Sequence, residues 1–472
     1  MKNTILRLSG LALLLCQGGA SAQVSTILQP FPNAAGNVQT FSTTGAIDPA
    51  NPFFKPFGNG RSCASCHQAS QGMSITPAGV QSRFAQTQGL DPIFRLIDGA
   101  NSPKAAVGTL EEKRNAYSML LNRGVIRVGL ALPRNAEFSI LKVEDPYNFA
   151  SAQELSLFRR PLPSSNLRMN AAFMWDGRET LRDSASNICI LNSNPLRCFA
   201  PLDVNLQHQA NSAVRGHAEA AQDLTAAEQK AIVDFEKTLF TAQVSHGTAG
   251  SLNAANALGG PTLLALQPFY FGINDPAQGD YQTRAPFNRN VFNLFGAWRG
   301  LDIPRPRQAP PDAQARARAS IARGEQIFNN KPFIVTRVGG LNQVPNTPQR
   351  ASCAACHNAP NVGSHSTPRF FNTGVADGAR RTPDMPLYTL KNNLTGETVQ
   401  STDPGFAMQS GRWQDIGRFK TPTLRALAAR APFFHDGSAR NLEEVVQFYE
   451  RRFAIGFTPQ ERADLTAFLS AL

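Results

Sequence analysis

Cys63-Ala-Ser-Cys66-His67 decides how this chain is read, because it recurs as Cys353-Ala-Ala-Cys356-His357. Two thiols three residues apart reach neighbouring edges of one porphyrin and can add to its vinyl groups. The next side chain then lies beneath the iron. Half a zinc ribbon or a redox C-x-x-C would use the same cysteines. Two full pentads in a chain that opens like an exported one argue against both. Two covalently bound haem c groups are therefore expected, attached at Cys63, Cys66, Cys353 and Cys356, with His67 and His357 as iron ligands.

The opening carries Lys2 and Arg7, an apolar run over Leu11–Leu15, and Ala20-Ser21-Ala22 before Gln23. That order is expected of a cleaved signal peptide over residues 1–22 and a periplasmic protein. Leu15 is too bulky for Cys16 to be a lipoprotein site. No later stretch approaches the roughly 18 apolar residues of a membrane span. Without residues 1–22, 44 basic side chains face 34 acidic ones, a surplus of ten. Such a surface can steer an acidic redox partner, and a solvated basic face is the simpler reading. No nucleic-acid-binding module is present. Cys189 and Cys198 remain after the haem cysteines, and in an oxidising compartment they are expected to close a loop by a structural disulfide.

Along the chain, residues 23–62 are rich in Pro, Asn, Phe and Gly and read as an extended entry segment. Residues 68–110 read as loop-rich, with helical patches near 111–123 and 151–159. Thr225-Ala-Ala-Glu228 is a capping box. It opens an expected helix of about 20 residues with Ile232, Phe235, Leu239 and Phe240 at helical spacing. Pro304-Arg-Pro-Arg-Gln-Ala-Pro-Pro311 reads as a linker. It separates an N-terminal haem domain, 23–303 with an insertion about 185–310, from a C-terminal cytochrome c-like domain, 312–472. The second half starts with a helix over Ala315–Phe328. It ends with the capping box Thr458-Pro-Gln-Glu461 and the stripe Leu465, Phe468, Leu469 and Leu472. Sustained strand alternation is scarce. The expected fold is mainly α, with two cytochrome c-like haem domains, long loops and an enlarged N-terminal half.

The sixth position decides what a haem iron does: a protein ligand favours electron transfer, an open polar pocket favours peroxide or O₂ chemistry. After His67 the next histidine is His208, and the only soft ligand nearby is Met73, which packing beside a porphyrin also explains. The first haem is thus expected to be open. In the second half His365, Met385, Met408, His435 and Tyr449 are candidates. Asn441 caps a helix whose apolar face is Leu442, Val445, Val446 and Tyr449, so Tyr449 points inward.

Phe173-Met-Trp-Asp-Gly-Arg178, Phe419-Lys-Thr-Pro-Thr-Leu-Arg425 and Pro432-Phe-Phe-His-Asp-Gly437 resemble motifs of the bacterial di-haem cytochrome c peroxidases, a family that includes the MauG-type enzymes. The resemblance is strongest over 53–67, 159–182, 320–357 and 412–472, and loose over about 185–310. It implies that Tyr449, seventeen residues after Pro432, is the sixth ligand of the His357 haem, where the peroxidases have Met and the MauG type has Tyr. It implies that Trp175 stands between the haems as an electron relay; core packing is the alternative. The peroxidases carry a second His that blocks the first haem until reduction. This chain has none, and Arg83 is near its place. Gln209 and Glu219 keep the separation of ten that the family's distal residues show, and His217 could do the same acid–base work. Arg178, Lys420 and Arg425 are implied contacts of propionates or carboxylates, with stabilising the fold the simpler role, and His435 is implied to be a hydrogen-bonding neighbour of the second haem rather than a ligand. The family's interdomain calcium would bind carbonyls near Arg430 and Pro432, with the Arg430 side chain beside it.

The reaction implied is peroxide use at the His67 haem, assisted by Glu219 or His217, with oxidising equivalents shared through Trp175 with the His357/Tyr449 haem. They would be spent on an electron donor, such as a small cytochrome c or cupredoxin, or on an oxidisable protein or organic substrate. The alternatives are a peroxidase that detoxifies hydrogen peroxide, a di-haem oxygenase using O₂ on an apolar substrate held by the Phe-rich region 265–298, and an electron-transfer cytochrome.

Overall fold

The computed structural model describes residues 29–45, 47–181, 199–341 and 347–472. The expected signal peptide and the Cys189–Cys198 loop lie outside the described residues. Helix accounts for 32% and strand for 17% of the structure, so the mainly-α expectation holds only in part. Among the described residues no helix is long and apolar enough to cross a membrane.

The entry segment is extended because it pairs. Gly36–Ser42 lies between Phe31–Asn33 and Leu239–His246 in a four-stranded antiparallel sheet. Leu239 and Phe240 fit a helical period as well as a strand. Here the helix opened by Thr225 covers only Ala226–Thr238, and both residues lie in the strand that follows. Pairing with Gly36–Ser42 supplies the backbone partners that end the helix. The segment 151–159 also departs from its helical reading. Leu155–Arg159 is a strand with every side chain buried, and it pairs with Ile126–Leu130. Burial on both faces removes the alternation that marks a strand in sequence. Within 68–110 stands a helix, Pro77–Thr87, capped by the Thr76 hydroxyl with proline at its first position.

The second half follows its sequence more closely. Ala313–Asn330 packs across Pro459–Ser470, and a Cβ on Gly324 would stand 2.0 Å from the Asp464 carbonyl, so only glycine allows this approach. Ile321, Phe328, Leu424, Val446, Leu465 and Phe468 fill the core between them. The two halves interlock. Phe138–Glu144 pairs with Leu387–Asn392 in one three-stranded sheet. Arg159, 2% exposed, joins Asp176 (2.6 Å) to Asp403 (2.7 Å) across the same junction.

Candidate active site

Both pentads fold as the same turn. Cys63–Ser65 and Cys353–Ala355 are single 3₁₀ turns, and the His67 and His357 amides donate to the Cys63 and Cys353 carbonyls at 3.0 and 3.1 Å. Each ring then donates from Nδ1 to the carbonyl six residues on: His67 to Met73 (3.0 Å), His357 to Gly363 (2.6 Å). A carbonyl only accepts, so Nδ1 carries the proton and Nε2 keeps its lone pair, the state an iron ligand needs. Burial keeps both imidazoles neutral, and lowers His357 to about 4. None of the four cysteines is joined to another, and burial pushes the Cys353 and Cys356 thiols up to about 12. Nothing here activates a dithiol for exchange. Among the described residues no three Cys, His, Asp or Glu side chains converge as a zinc site requires.

The surroundings of the second pentad form an apolar cavity enclosing about 1650 Å³, its open mouth included. Cys353, Cys356 and His357 line it together with Tyr449, Phe453 and Phe371. Tyr449 comes from the helix Leu442–Phe453, as its periodicity predicts, and its ring lies parallel to Phe453 at 6.1 Å. Burial raises its phenol well above the usual range, the cysteine sulfurs add to the rise, and a hydrogen bond with Thr373 opposes it. Of the other candidate ligands, His435 shares this cavity, while His365, Met385 and Met408 stand elsewhere. Met385 packs with Met119 and Phe158, Met408 packs with Tyr388 and Leu390, and His365 Nδ1 meets the Thr367 carbonyl (3.0 Å) and amide (3.2 Å).

Trp175, His435, Phe419 and Lys420 line the side of this cavity that borders the first half. The Trp175 indole donates to the Arg160 carbonyl (2.8 Å) and meets the His435 ring edge-on at 6.3 Å. His435 is 1% exposed, stacks on Phe419 at 4.2 Å, and has no hydrogen-bond partner at either ring nitrogen. Lys420 has only Asn170 Oδ1 (3.2 Å) and the Ala172 carbonyl (2.7 Å), and burial drives its ammonium down to about 7. A buried ammonium without an acidic neighbour is costly by several kcal/mol. A carboxylate on a haem edge would offset that cost, so cavity, thiols, imidazole and cation together fit a haem. Arg178 instead takes Asp176, and Arg425 is held by the Asn361 and Gly260 carbonyls.

Around the first pentad the partners differ. The Met73 carbonyl is occupied by His67, and its side chain packs with Phe53, Val214 and Leu239 on that same side. Arg83 is pinned to Asp91 and to the Ser65 carbonyl. His217, just past the helix Leu202–Gly216, donates from Nδ1 to Asp98 Oδ2 at 2.7 Å. Asp98 in turn takes Arg61 Nη1 (2.6 Å), and Arg61 also donates to the His217 carbonyl (2.9 Å). Burial alone would raise the Asp98 carboxyl, but His217 and Arg61 hold it below the usual range. His217 is near enough to His67 to add to the lowering that burial causes there. Glu219 is exposed, in the left-handed region (φ 52°), and accepts from Asn59 Nδ2 at 2.8 Å. Gln209 is half-buried on the helix before it. Of the two acid–base candidates, His217 is half-buried and held by a buried carboxylate, whereas Glu219 is exposed and held by the Asn59 amide.

Two residues escaped the sequence reading. Asp98 lies 119 residues from His217, and no local pattern announces the pair. Glu236, 4% exposed beside Cys63, has an unpaired Oε2, and burial raises its carboxyl to about 8. The residues also test the calcium implied by resemblance. The Arg430 carbonyl already accepts from Arg160, and the Arg430 guanidinium takes the Thr423 and Arg425 carbonyls. With two guanidinium groups there, the set does not fit a divalent cation.

The chain is homologous to proteins of the cytochrome c peroxidase and MauG family. The cytochrome-c peroxidase IdrP1 of Denitromonas iodatirespirans is 30% identical over 207 residues, 38% of this chain and 52% of that protein. Its namesake in Pseudomonas sp. (strain SCT) is 28% identical over 223 residues, 43% of this chain and 51% of that protein. The methylamine utilization protein MauG of Methylorubrum extorquens is 31% identical over 134 residues, 26% of this chain and 31% of that protein. The match thus spans about half the length of the first two relatives. No family model matches. A solved MauG-like protein associated with microbial copper homeostasis shares 17% identity over 72% of this chain and 77% of its own, with a TM-score of 0.32, too low to carry an argument.

Proposed function

We propose that the chain is a periplasmic di-haem c oxidoreductase that uses hydrogen peroxide at the His67 site and, in MauG-like fashion, stores the oxidising equivalents at the His357 site. The supporting observation is the inequality of the two sites. Tyr449 lies on the wall of the His357 cavity, whereas near His67 stands an imidazole oriented by Asp98. Haem at each pentad supplies an iron that peroxide can oxidise and a donor can reduce.

The chain's own groups do the rest. Asp98 holds the His217 Nδ1–H, so Nε2 is the basic atom. Peroxide in this pocket gives its first proton to Nε2. The proton returns to the departing oxygen, which leaves as water. Two electrons and two protons in all convert one peroxide to two waters. The electrons come from a small cytochrome c or cupredoxin, or from an oxidisable protein or organic substrate. Trp175 relays charge between the sites, with its indole fixed by the Arg160 carbonyl. Tyr449 would hold the second haem's iron; burial opposes a free phenolate, so the phenol would give up its proton only to such a cation, and its negative charge would favour the higher oxidation states. Glu219, held by the Asn59 amide, is the second acid–base candidate, with Gln209 as its companion.

The ferric protein is expected to show one high-spin and one low-spin haem in its electronic and paramagnetic resonance spectra. Stoichiometric peroxide should give a long-lived oxidised state in the absence of donor. Two low-spin haems would remove the open site and leave an electron carrier.

A further inference from the structure

Arg160 is a buried cation at the junction of the two halves that no acidic group neutralises among the described residues. It is 5% exposed, and no ion pair reaches it among the described residues. Its guanidinium is spent on carbonyl oxygens. Nη1 donates to Arg123 (2.8 Å) and Gly124 (3.4 Å), and Nη2 to Ile75 (2.7 Å) and Arg430 (3.0 Å). Three of the four belong to the first half and the fourth to the second. A ring of backbone carbonyls drawn from separate segments is what a bound metal ion collects. A planar fork of fixed donors fills it here instead.

The cage is shaped around this group. Gly124 stands at φ +61°, and a Cβ there would lie 2.5 Å from Arg160 Nη1, so the close approach depends on glycine. The main chain of Arg160 is committed too. Its amide donates to the His435 carbonyl (2.6 Å), and its carbonyl accepts the Trp175 indole N–H (2.8 Å). One residue therefore ties carbonyls of both halves, the strand end at Arg159 and the aromatic pair Trp175–His435.

We propose that the Arg160 guanidinium is a built-in cation that takes the place of an interdomain metal ion and, through its own peptide group, holds Trp175 in position between the two pentads. Arg160 is a positioning residue. The metal-independence part stands on the cage alone; the Trp175 part rests on the di-haem reading above. Burial lowers the group to about 9, which leaves it charged at neutral pH.

The test uses the full-length holoprotein. Wild-type protein is dialysed against EDTA and then given CaCl₂, with thermal unfolding and the peroxide-oxidised spectrum followed. Neither treatment is expected to change either readout. A loss of stability in EDTA that calcium restores would overturn the proposal. Arg160→Lys and Arg160→Ala are then compared. A compact ammonium cannot span four carbonyls, so both variants should unfold several degrees earlier and exchange electrons between the haems at least about tenfold more slowly, as displaced groups do. Dilute guanidinium chloride should restore Arg160→Ala towards wild type in both readouts and leave Arg160→Lys unchanged. Lowered stability with wild-type exchange would reduce Arg160 to a structural tie and overturn its positioning role. If peroxide leaves all proteins spectrally unchanged, the functional reading fails, while the metal and guanidinium arms still decide the cage.

Discussion

The two C-x-x-C-H turns are alike on the histidine side and unlike everywhere else. Both imidazoles are locked by a carbonyl six residues on, so both can offer the same atom to a metal. The difference lies in what stands nearby: a phenol on the cavity wall at the second, an Asp98-held imidazole near the first. Equal attachment with unequal surroundings teaches that a twofold motif need not mean a twofold function. The turn is local chemistry and can be repeated, whereas its surroundings come from distant segments that each half recruits separately.

The sharpest way to break this comparison is at His217. His217→Ala should slow the reaction with peroxide by roughly 10²–10³-fold, measured by stopped-flow absorbance, while the second haem's ferric spectrum stays as it was. If Glu219→Gln produces that loss and His217→Ala does not, the orientation argument is wrong. Asp98→Asn should cost about ten- to a hundredfold in the same rate, because the imidazole loses its orienting acceptor. Tyr449→Phe tests the other side. It should alter only the second haem's bands and raise its reduction potential, with peroxide binding at the first unchanged; an unaltered spectrum would remove the phenol from that site.

The smallest effect concerns the tie between the halves. Burial alone would raise the Asp176 carboxyl, but Arg159 and Arg178 outweigh it and hold it at about 2, against an ordinary 3.8. An acid with a depressed value in the folded state stabilises that state above its unfolded value and loses the contribution as pH falls through the folded one. About 2 kcal/mol is therefore present at neutral pH. It should disappear between pH 3.8 and about 2. Denaturant unfolding at pH 6 and pH 2.5 should show that slope, and Asp176→Asn should flatten it.

How much of this was legible beforehand depends on whether the signal was local. The pentads, the caps at Thr225, Asn441 and Thr458, and the inward face that carries Tyr449 are short-range patterns, and the elements stand where the patterns put them. The strand Leu155–Arg159 was hidden because burial on both faces erases alternation. The helix Pro77–Thr87 had a readable cap in Thr76-Pro77, but its surroundings of Gly and Gln masked it. Leu239 and Phe240 satisfied two periods at once, and only pairing with Gly36–Ser42 decides between them. Asp98 and Arg160 act through partners far along the chain, which no window of sequence contains.

The shared sheet has a consequence for how the molecule is made. Phe138–Glu144 finds its partner in Leu387–Asn392, about 240 residues later, and closing so long a loop is slow more than it is unfavourable. During synthesis the first pentad emerges long before the strand that completes its half. Until then Phe138–Glu144 presents an open hydrogen-bonding edge, the kind that recruits a wrong neighbour. A chain severed at 304–311 lacks that partner strand and should associate with itself through the exposed edge.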